Sequence, residues 1–403
     1  MNDLAVTSPR APPAAMPVAL VHDYLTQRGG AERVVSLMME AFPEAPLYTS
    51  LYAADRTFAD FSGQDIRPFG LNRFALLRRY HRLALPLLAP TFSNQRIQAE
   101  LTVCSSSGWA HGVRTTGGKL VYCHTPARWL YQAEFYVGKP FRDVSSPEPK
   151  HWRATFNRRV TRLTLGTLSN TLRRWDQKAA GSADRYLTNS SVMAAAIKRV
   201  YGIEAEVLRP PPGLTPAGPS ASVPGVEPGY FLCVARLLPY KNVQAIVDAV
   251  GSLPDSRLVI VGDGPLRRAL RDRAPANVRF VAGVDDAKLR WLYHHSLALV
   301  AASHEDYGLT PLEAATFGRP SVVLRAGGFL DTVRQGVTGL FFDEPSGAAM
   351  TPVLEAASNA EWDSAAIVAH ARTFGKEAFI GRLQEVAREV LVAGRAQRDP
   401  PRH

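Results

Sequence analysis

The stretch His304-Glu305-Asp306-Tyr307-Gly308-Leu309-Thr310-Pro311-Leu312-Glu313 follows the apolar run Leu297 to Ala302. It leads into a short helical pattern that stops at Gly318, before Pro320. A buried run, a charged loop with a glycine and a helix start form one strand–loop–helix step of an α/β sheet. The step gathers two carboxylates eight positions apart, loop amides and the positive end of a helix around one small polar ligand. Thr310 reads as the N-cap, Pro311 as the first helical residue and Glu313 as the third. The free N–H groups there favour an anion such as a diphosphate. Glu313 could instead merely close a capping box. Glu305 follows the strand directly and caps nothing obvious, while Gly308 would let backbone amides approach a sugar.

Working outward, short apolar runs alternate with helical patterns along the whole chain. In the first half the runs are Val18–Val21, Leu101–Cys104, Leu120–Cys123 and Tyr186–Thr188, with a helix predicted over Ala31–Phe42. In the second half they are Tyr230–Ala235, Leu258–Val261, Val278–Val281, Leu297–Ala302 and Ser321–Leu324. Such alternation predicts parallel sheets covered by helices. A segment dense in Pro, Gly and Ser separates the halves and reads as a linker over 211–228. The expected organisation is a disordered tail over 1–16, a first domain over 17–210 and a second over 229–377. A last helix, about 378–395, is expected to pack back onto the first domain. Two facing α/β domains leave a cleft, and in open α/β sheets ligands sit at the carboxyl ends of the strands.

Several motifs fall at those strand ends. Arg236 and Lys241 follow Tyr230–Ala235, and paired cations stabilise the charge that builds on a departing nucleoside diphosphate. Seen alone, this loop could also be a solvated basic turn. Gly262 and Gly264 end another strand in a turn common to α/β folds. Gly29-Gly30-Ala31-Glu32-Arg33 joins the first strand to the first helix and could admit phosphate or acceptor groups, but lacks the rest of a dinucleotide fingerprint. His124, in Tyr122-Cys123-His124-Thr125-Pro126-Ala127-Arg128-Trp129, could bind a sugar hydroxyl or serve a structural role. With no Asp-x-Asp pair and no zinc-spaced His/Cys cluster, the expectation is no catalytic metal and no cofactor.

Composition narrows the class. The chain has 403 residues, 46% hydrophobic and 21% charged, as a globular protein of two domains would. Cys104, Cys123 and Cys233 have no metal-ligand spacing and suit buried free thiols in a reducing compartment. Neither a signal-peptide pattern nor an apolar run long enough to span a bilayer is present. The net charge is +11. Its excess is concentrated: from Ile66 to Ala99 there is no acid, and Arg67, Arg73, Arg78, Arg79, Arg82 and Arg96 alternate with large apolar residues. A second basic stretch carries Arg153, Arg158, Arg159, Arg162, Arg173, Arg174 and Lys178. Basic and apolar side chains mixed in this way suit an anionic membrane surface better than a DNA groove, although a solvated helix face would look similar.

Taken together and in order, these pieces resemble the retaining glycosyltransferases of family 4, which have two Rossmann-like domains facing each other across a cleft (the GT-B fold). The resemblance covers about residues 17–395. It runs through His22-Asp23-Tyr24, Gly29 to Arg33, Ser105-Ser106-Ser107, Tyr122 to Arg128 and Thr188-Asn189-Ser190-Ser191. It continues through Ala235-Arg236, Lys241-Asn242, Gly262 to Pro265, Glu305 to Gly308 and Glu313-Ala314. The Gly-Gly-Ala-Glu-Arg and Cys-His-Thr-Pro segments are similar to bacterial mannosyltransferases that use GDP-mannose and build polysaccharide repeat units on polyprenyl diphosphate.

The resemblance implies roles. Arg236 and Lys241 would hold the diphosphate, Glu305 the donor sugar hydroxyls, and Gly308 and Leu309 would offer amides. Glu313 would bind the ribose, His124 would lie beside the donor sugar, and Gly30 near the diphosphate across the cleft. Asp331 stands where that family usually has Glu, and Gly213 where an Asp is common. The implied partners are a nucleotide sugar, a polyprenyl-diphosphate-linked saccharide acceptor and an anionic membrane surface, with no nucleic acid. The implied location is cytoplasmic, peripheral on the inner face of the membrane. A UDP-sugar, GDP-rhamnose or GDP-fucose donor would fit the same motifs. A non-catalytic basic scaffold is the alternative of another class.

Overall fold

The computed structural model describes residues 18–131 and 170–398. The expected tail over 1–16 lies outside them, as do Arg153, Arg158, Arg159 and Arg162 of the second basic stretch.

Two parallel sheets organise the described chain. The first has the order β3-β2-β1-β5-β7-β8-β9. Its strands are β1 (Val18–His22), β2 (Leu47–Thr49), β3 (Ile66–Pro68), β5 (Leu101–Ser106), β7 (Gly118–Cys123), β8 (Arg185–Thr188) and β9 (Glu206–Val207). A short ladder pairs β4 (Arg96–Ile97) with β6 (Arg114–Thr115). The central strands β1, β5 and β7 are buried along their whole length, which is why they read as unbroken apolar runs and not as alternating ones. The short strands β2, β3 and β9 carry too few residues to show a period, and the sequence left them unassigned.

The second sheet has the order β12-β11-β10-β13-β14-β15. It is built from β10 (Tyr230–Val234), β11 (Leu258–Val261), β12 (Val278–Val281), β13 (Ser296–Ala301), β14 (Ser321–Leu324) and β15 (Gly339–Phe342). In both sheets the order reverses beside the first strand, between β1 and β5 and between β10 and β13. Loops at these two points diverge from the sheet and open a crevice at the strand ends.

Helices cover the sheets through apolar faces. The helix Gly30–Ala41 buries Val34, Val35, Met38 and Ala41 against β1 and β5. The last helix runs Lys376–Arg398, longer than its expected span of about 378–395. It inserts Phe379, Leu383, Val386, Ala387, Val390 and Leu391 into the core of the first sheet. Arg382 fastens it to Glu206 with hydrogen bonds of 2.7 and 3.0 Å. A buried side chain of this size contributes roughly 1.5–3 kcal/mol, so the tail of the chain is part of the first domain's core.

The proline-rich segment between the sheets is not a free spacer. Leu214, Val223 and Val226 are buried with Tyr230, Leu232 and Val259 of the second domain. Arg279 donates to the carbonyls of Gly225 and Pro224, and Arg290 to those of Thr215 and Pro219. All three cysteines are buried and free. Among the described residues, no helix is long and apolar enough to cross a membrane.

Candidate active site

The second domain supplies one wall of the crevice. Because β10 pairs with β13, the loops that follow them are neighbours. Lys241 Nζ and Ser303 Oγ both donate to Oε1 of Glu305. Asn242, in the left-handed conformation at φ 51°, ties the two loops by donating to the Ala302 carbonyl at 2.8 Å. Burial pushes the Glu305 carboxyl up, but the charge and hydrogen bond of Lys241, the Ser303 hydroxyl and the charge of Arg128 outweigh it. The group is held below the ordinary carboxylate value. Glu305 is therefore an ionised acceptor, suited to hydroxyl donors. Arg236 is exposed at the end of β10, and its charge reaches Glu32 of the first domain.

The helix beyond Glu305 begins earlier than the sequence indicated. It spans Leu309–Thr316 with Gly308 as N-cap, at φ 102°. Thr310 is therefore its second residue, Pro311 its third and Glu313 its fifth, and no capping box forms between Thr310 and Glu313. The physical reason is Gly308. It takes a left-handed turn closed to Thr310, and a Cβ there would lie 2.8 Å from both Phe329 Cδ1 and Thr332 Oγ1. Glu313 points inward. It is buried, accepts from the Tyr293 hydroxyl at 2.9 Å, and burial pushes its carboxyl up. Leu309 and Thr310 keep amides at the helix mouth, whereas Pro311 has none.

The first domain supplies the facing wall. The N-terminus of the Gly30–Ala41 helix meets that of the Leu309–Thr316 helix: a Cβ on Gly30 would lie 3.1 Å from Leu309 Cδ1. At the end of β1, Asp23 accepts from the amides of Ser107 and Ala110 at 2.7 and 2.6 Å, which fixes the turn after β5. Burial pushes its carboxyl up to about 6. Beside it runs a chain of three side chains. His22 Nδ1 lies 3.0 Å from Ser105 Oγ, which lies 2.8 Å from His124 Nε2. Burial lowers His22 to about 4, and burial with the His22 neighbour lowers His124 to about 3. Both rings are neutral at neutral pH, and Ser105 holds the orientation of His124.

Contacts between the halves narrow the crevice. Arg128 pairs with Asp306, whose carboxyl burial pushes up in spite of that partner. Ser190 Oγ donates to the Asp306 carbonyl at 2.5 Å, and Tyr307 OH to the Pro210 carbonyl at 2.6 Å. Asp331 accepts from the Ser191 amide at 2.9 Å, the Ser191 hydroxyl at 2.8 Å and Arg209 at 2.6 Å. It fastens the start of the Ser191–Tyr201 helix to the second domain. Gly213 takes a different kind of contact: its carbonyl accepts from Arg33 at 2.6 Å.

The structure thus brings Lys241, Glu305, Gly308, Leu309 and Gly30 to one crevice, with Arg236 at its rim and His124 at the facing strand ends. Gly262 and Gly264 follow β11, beside the loop after β10. They pack backbone to backbone against the Arg236 loop, where added Cβ atoms would meet the carbonyls of Ala235 at 1.9 Å and Leu237 at 2.5 Å. The sequence drew notice to the segments holding Ser105 and Asp306 but gave neither residue a role, and Ser303 went unnoticed. Their signal was positional: each ends or follows a strand at a point where the sheet order reverses.

Residues 220–373 match the family described as Glycosyl transferases group 1. The two-domain fold is that of the GT-B glycosyltransferases. The chain superposes on the lipopolysaccharide outer core galactosyltransferase WaaB with a TM-score of 0.61 and 16% identity, covering 93% of this chain and 99% of that one. Against Anabaena HepE in complex with UDP-glucose the values are 0.61, 17%, 94% and 100%. Against sucrose-phosphate synthase from Thermosynechococcus elongatus they are 0.64, 17%, 94% and 100%. At these identities the likeness defines the fold. Among curated relatives, a glycogen synthase of Mycobacterium tuberculosis is 30% identical over 225 residues, 53% of this chain and 54% of the relative. A D-inositol 3-phosphate glycosyltransferase of Actinosynnema mirum is 30% identical over 194 residues, 41% of this chain and 46% of the relative. The chain spans about half the length of these relatives.

Proposed function

We propose that the protein is a retaining glycosyltransferase that moves a mannosyl residue from GDP-mannose to a polyprenyl-diphosphate-linked saccharide. The observation that carries the transfer chemistry is the convergence at the crevice: an ionised Glu305 held by Lys241, Arg236 at the rim and two helix N-termini face to face. Positive groups there offset charge on a departing diphosphate without a metal, and Glu305 accepts hydrogen bonds from the sugar. The bond from the sugar's anomeric carbon to the diphosphate breaks, and the acceptor hydroxyl attacks the same face. Its proton passes to the leaving phosphate oxygen, so no enzymic nucleophile is needed. The mannosyl donor rests on the resemblance of the Gly29–Arg33 and Cys123–Pro126 segments.

A membrane-held acceptor fits the surface. Of eight exposed large hydrophobic side chains among the described residues, five fall between residues 74 and 87: Phe74, Leu76, Tyr80, Leu83 and Leu87. Arg73 lies over the Phe74 ring and Arg79 over that of Tyr80. His81 in the same segment stacks on Tyr24, two residues after β1, at 4.8 Å. Apolar side chains interleaved with cations match an anionic bilayer surface.

The experiment is a donor panel of GDP-mannose, GDP-rhamnose, GDP-fucose and UDP-sugars, incubated with membranes and the full chain, with and without EDTA. Transfer from GDP-mannose to a lipid-extractable product, unchanged by EDTA, is expected; transfer from a UDP-sugar alone refutes the donor. Flotation with anionic and neutral liposomes tests the surface. Equal behaviour with both refutes the electrostatic part of the docking.

A further inference from the structure

The transfer chemistry above gives no role to the buried acid Glu32. Glu32 is 1% exposed, and its Oε2 has no hydrogen-bond partner among the described residues. That oxygen lies over the Gly29–Gly30 turn, 2.7 Å from where a Cβ on Gly29 would stand. One residue on, Gly30 faces Leu309 across the crevice. The carboxyl therefore sits at the seam where two helix N-termini from opposite domains meet. The groups acting on it are its own amide and the Gln27 side chain, Asp23 from the end of β1, and Arg236 from the end of β10. A buried ionised carboxylate would repel an anion drawn to this seam. A buried carboxylic acid would donate a hydrogen bond to it.

We infer that Glu32, in its protonated form, donates a hydrogen bond to a nucleoside diphosphate bound in the seam, so that binding takes up a proton from solvent. The inference rests on the proposed reading of the crevice as a nucleotide-sugar site. No covalent bond changes; one proton moves from buffer to the Glu32 carboxyl as the anion enters. Burial already pushes that carboxyl up to about 7, with Asp23 adding and Arg236 opposing. The incoming negative charge pushes it further the same way. At pH 8 the free carboxyl is mostly ionised and the bound one protonated, so roughly 0.9 proton enters. At pH 5.5 the carboxyl is protonated beforehand and the uptake falls towards zero. Asp23 shares this region but already accepts two backbone amides.

The test is titration calorimetry of the full chain with GDP and with UDP at pH 8, in several non-phosphate buffers that differ in ionisation enthalpy. The slope of the observed enthalpy against that quantity counts protons, and at pH 8 the ligand's own phosphate is fully ionised. The expected slope is 0.5 to 1 proton taken up (roughly, on the linkage above), near zero for Glu32→Gln, which still binds because its amide can donate. GDP binding to the wild type with no slope overturns the inference, and needs no variant. An unchanged slope in Glu32→Gln overturns it as well. No heat with either nucleotide at millimolar concentration overturns the nucleotide reading and this inference together.

Discussion

Replacing Lys241 by Met removes the ammonium and keeps most of the side-chain volume. The ion pair with Glu305 has side chains only 13% and 26% exposed. Breaking a fully buried pair by removing one partner costs roughly 3–5 kcal/mol. Partial exposure puts this pair lower, and we expect about 2–3 kcal/mol at pH 7. The cost depends on pH in a definite direction. Lys241 helps to hold the folded Glu305 below its ordinary value of 4.5, so the pair's contribution is full above 4.5 and lost as pH falls through the folded value. Urea unfolding of Lys241→Met and wild type should diverge at pH 7 and draw together towards pH 3. Turnover should drop about 100- to 1000-fold, the usual loss when one charge-stabilising group is removed. Unfolding midpoints that differ equally at both pH values would refute the ion-pair account, and turnover within threefold of wild type would refute the leaving-group role.

Other expectations follow from the same geometry. Glu32 carries a carboxyl raised from 4.5 to about 7, so folded protein loses stability as pH rises from 4.5 through 7. Glu32→Gln should be more stable than wild type by about 3 kcal/mol at pH 8 and equal to it at pH 4, by urea unfolding. Gly308→Ala meets both the left-handed turn and Phe329, and should lose about 2–4 kcal/mol by the same measurement. Asp331→Ala removes the acceptor of Ser191 and Arg209, and amide hydrogen exchange at Ser191 should quicken by about 10- to 100-fold, the equivalent of one charge-assisted hydrogen bond. An unchanged rate would mean that the two halves are fastened elsewhere.

The α/β class was legible because fully buried parallel strands leave a strong trace. Leu258–Val261 and Ser321–Leu324, buried along their whole length, are strands with the bounds that their apolar runs suggest. The short strands Leu47–Thr49, Ile66–Pro68 and Glu206–Val207 left no such trace, being two or three residues long. The helix after Glu305 was visible, but its start was not. Thr310-Pro311 is a strong local start signal, yet Gly308 offered a turn whose reach depends on Phe329 and Thr332, residues distant in sequence. The same limit applies to the linker, whose composition suggests a spacer and whose Leu214, Val223 and Val226 are nonetheless buried.

The sequence by itself determined which residue types stand at the strand ends, because strand runs and their glycine-containing loops are local features. Tertiary structure alone decided who meets whom. Lys241 and Glu305, 64 positions apart, touch because β10 pairs with β13. Gly30 and Leu309 face each other because two separate sheets turn their strand ends to one crevice. Burial, likewise a property of the assembled fold, makes His22 and His124 neutral and leaves Glu32 a carboxyl poised near neutrality. A charge's desolvation depends on every neighbour around it, and those neighbours come from segments that no local pattern connects.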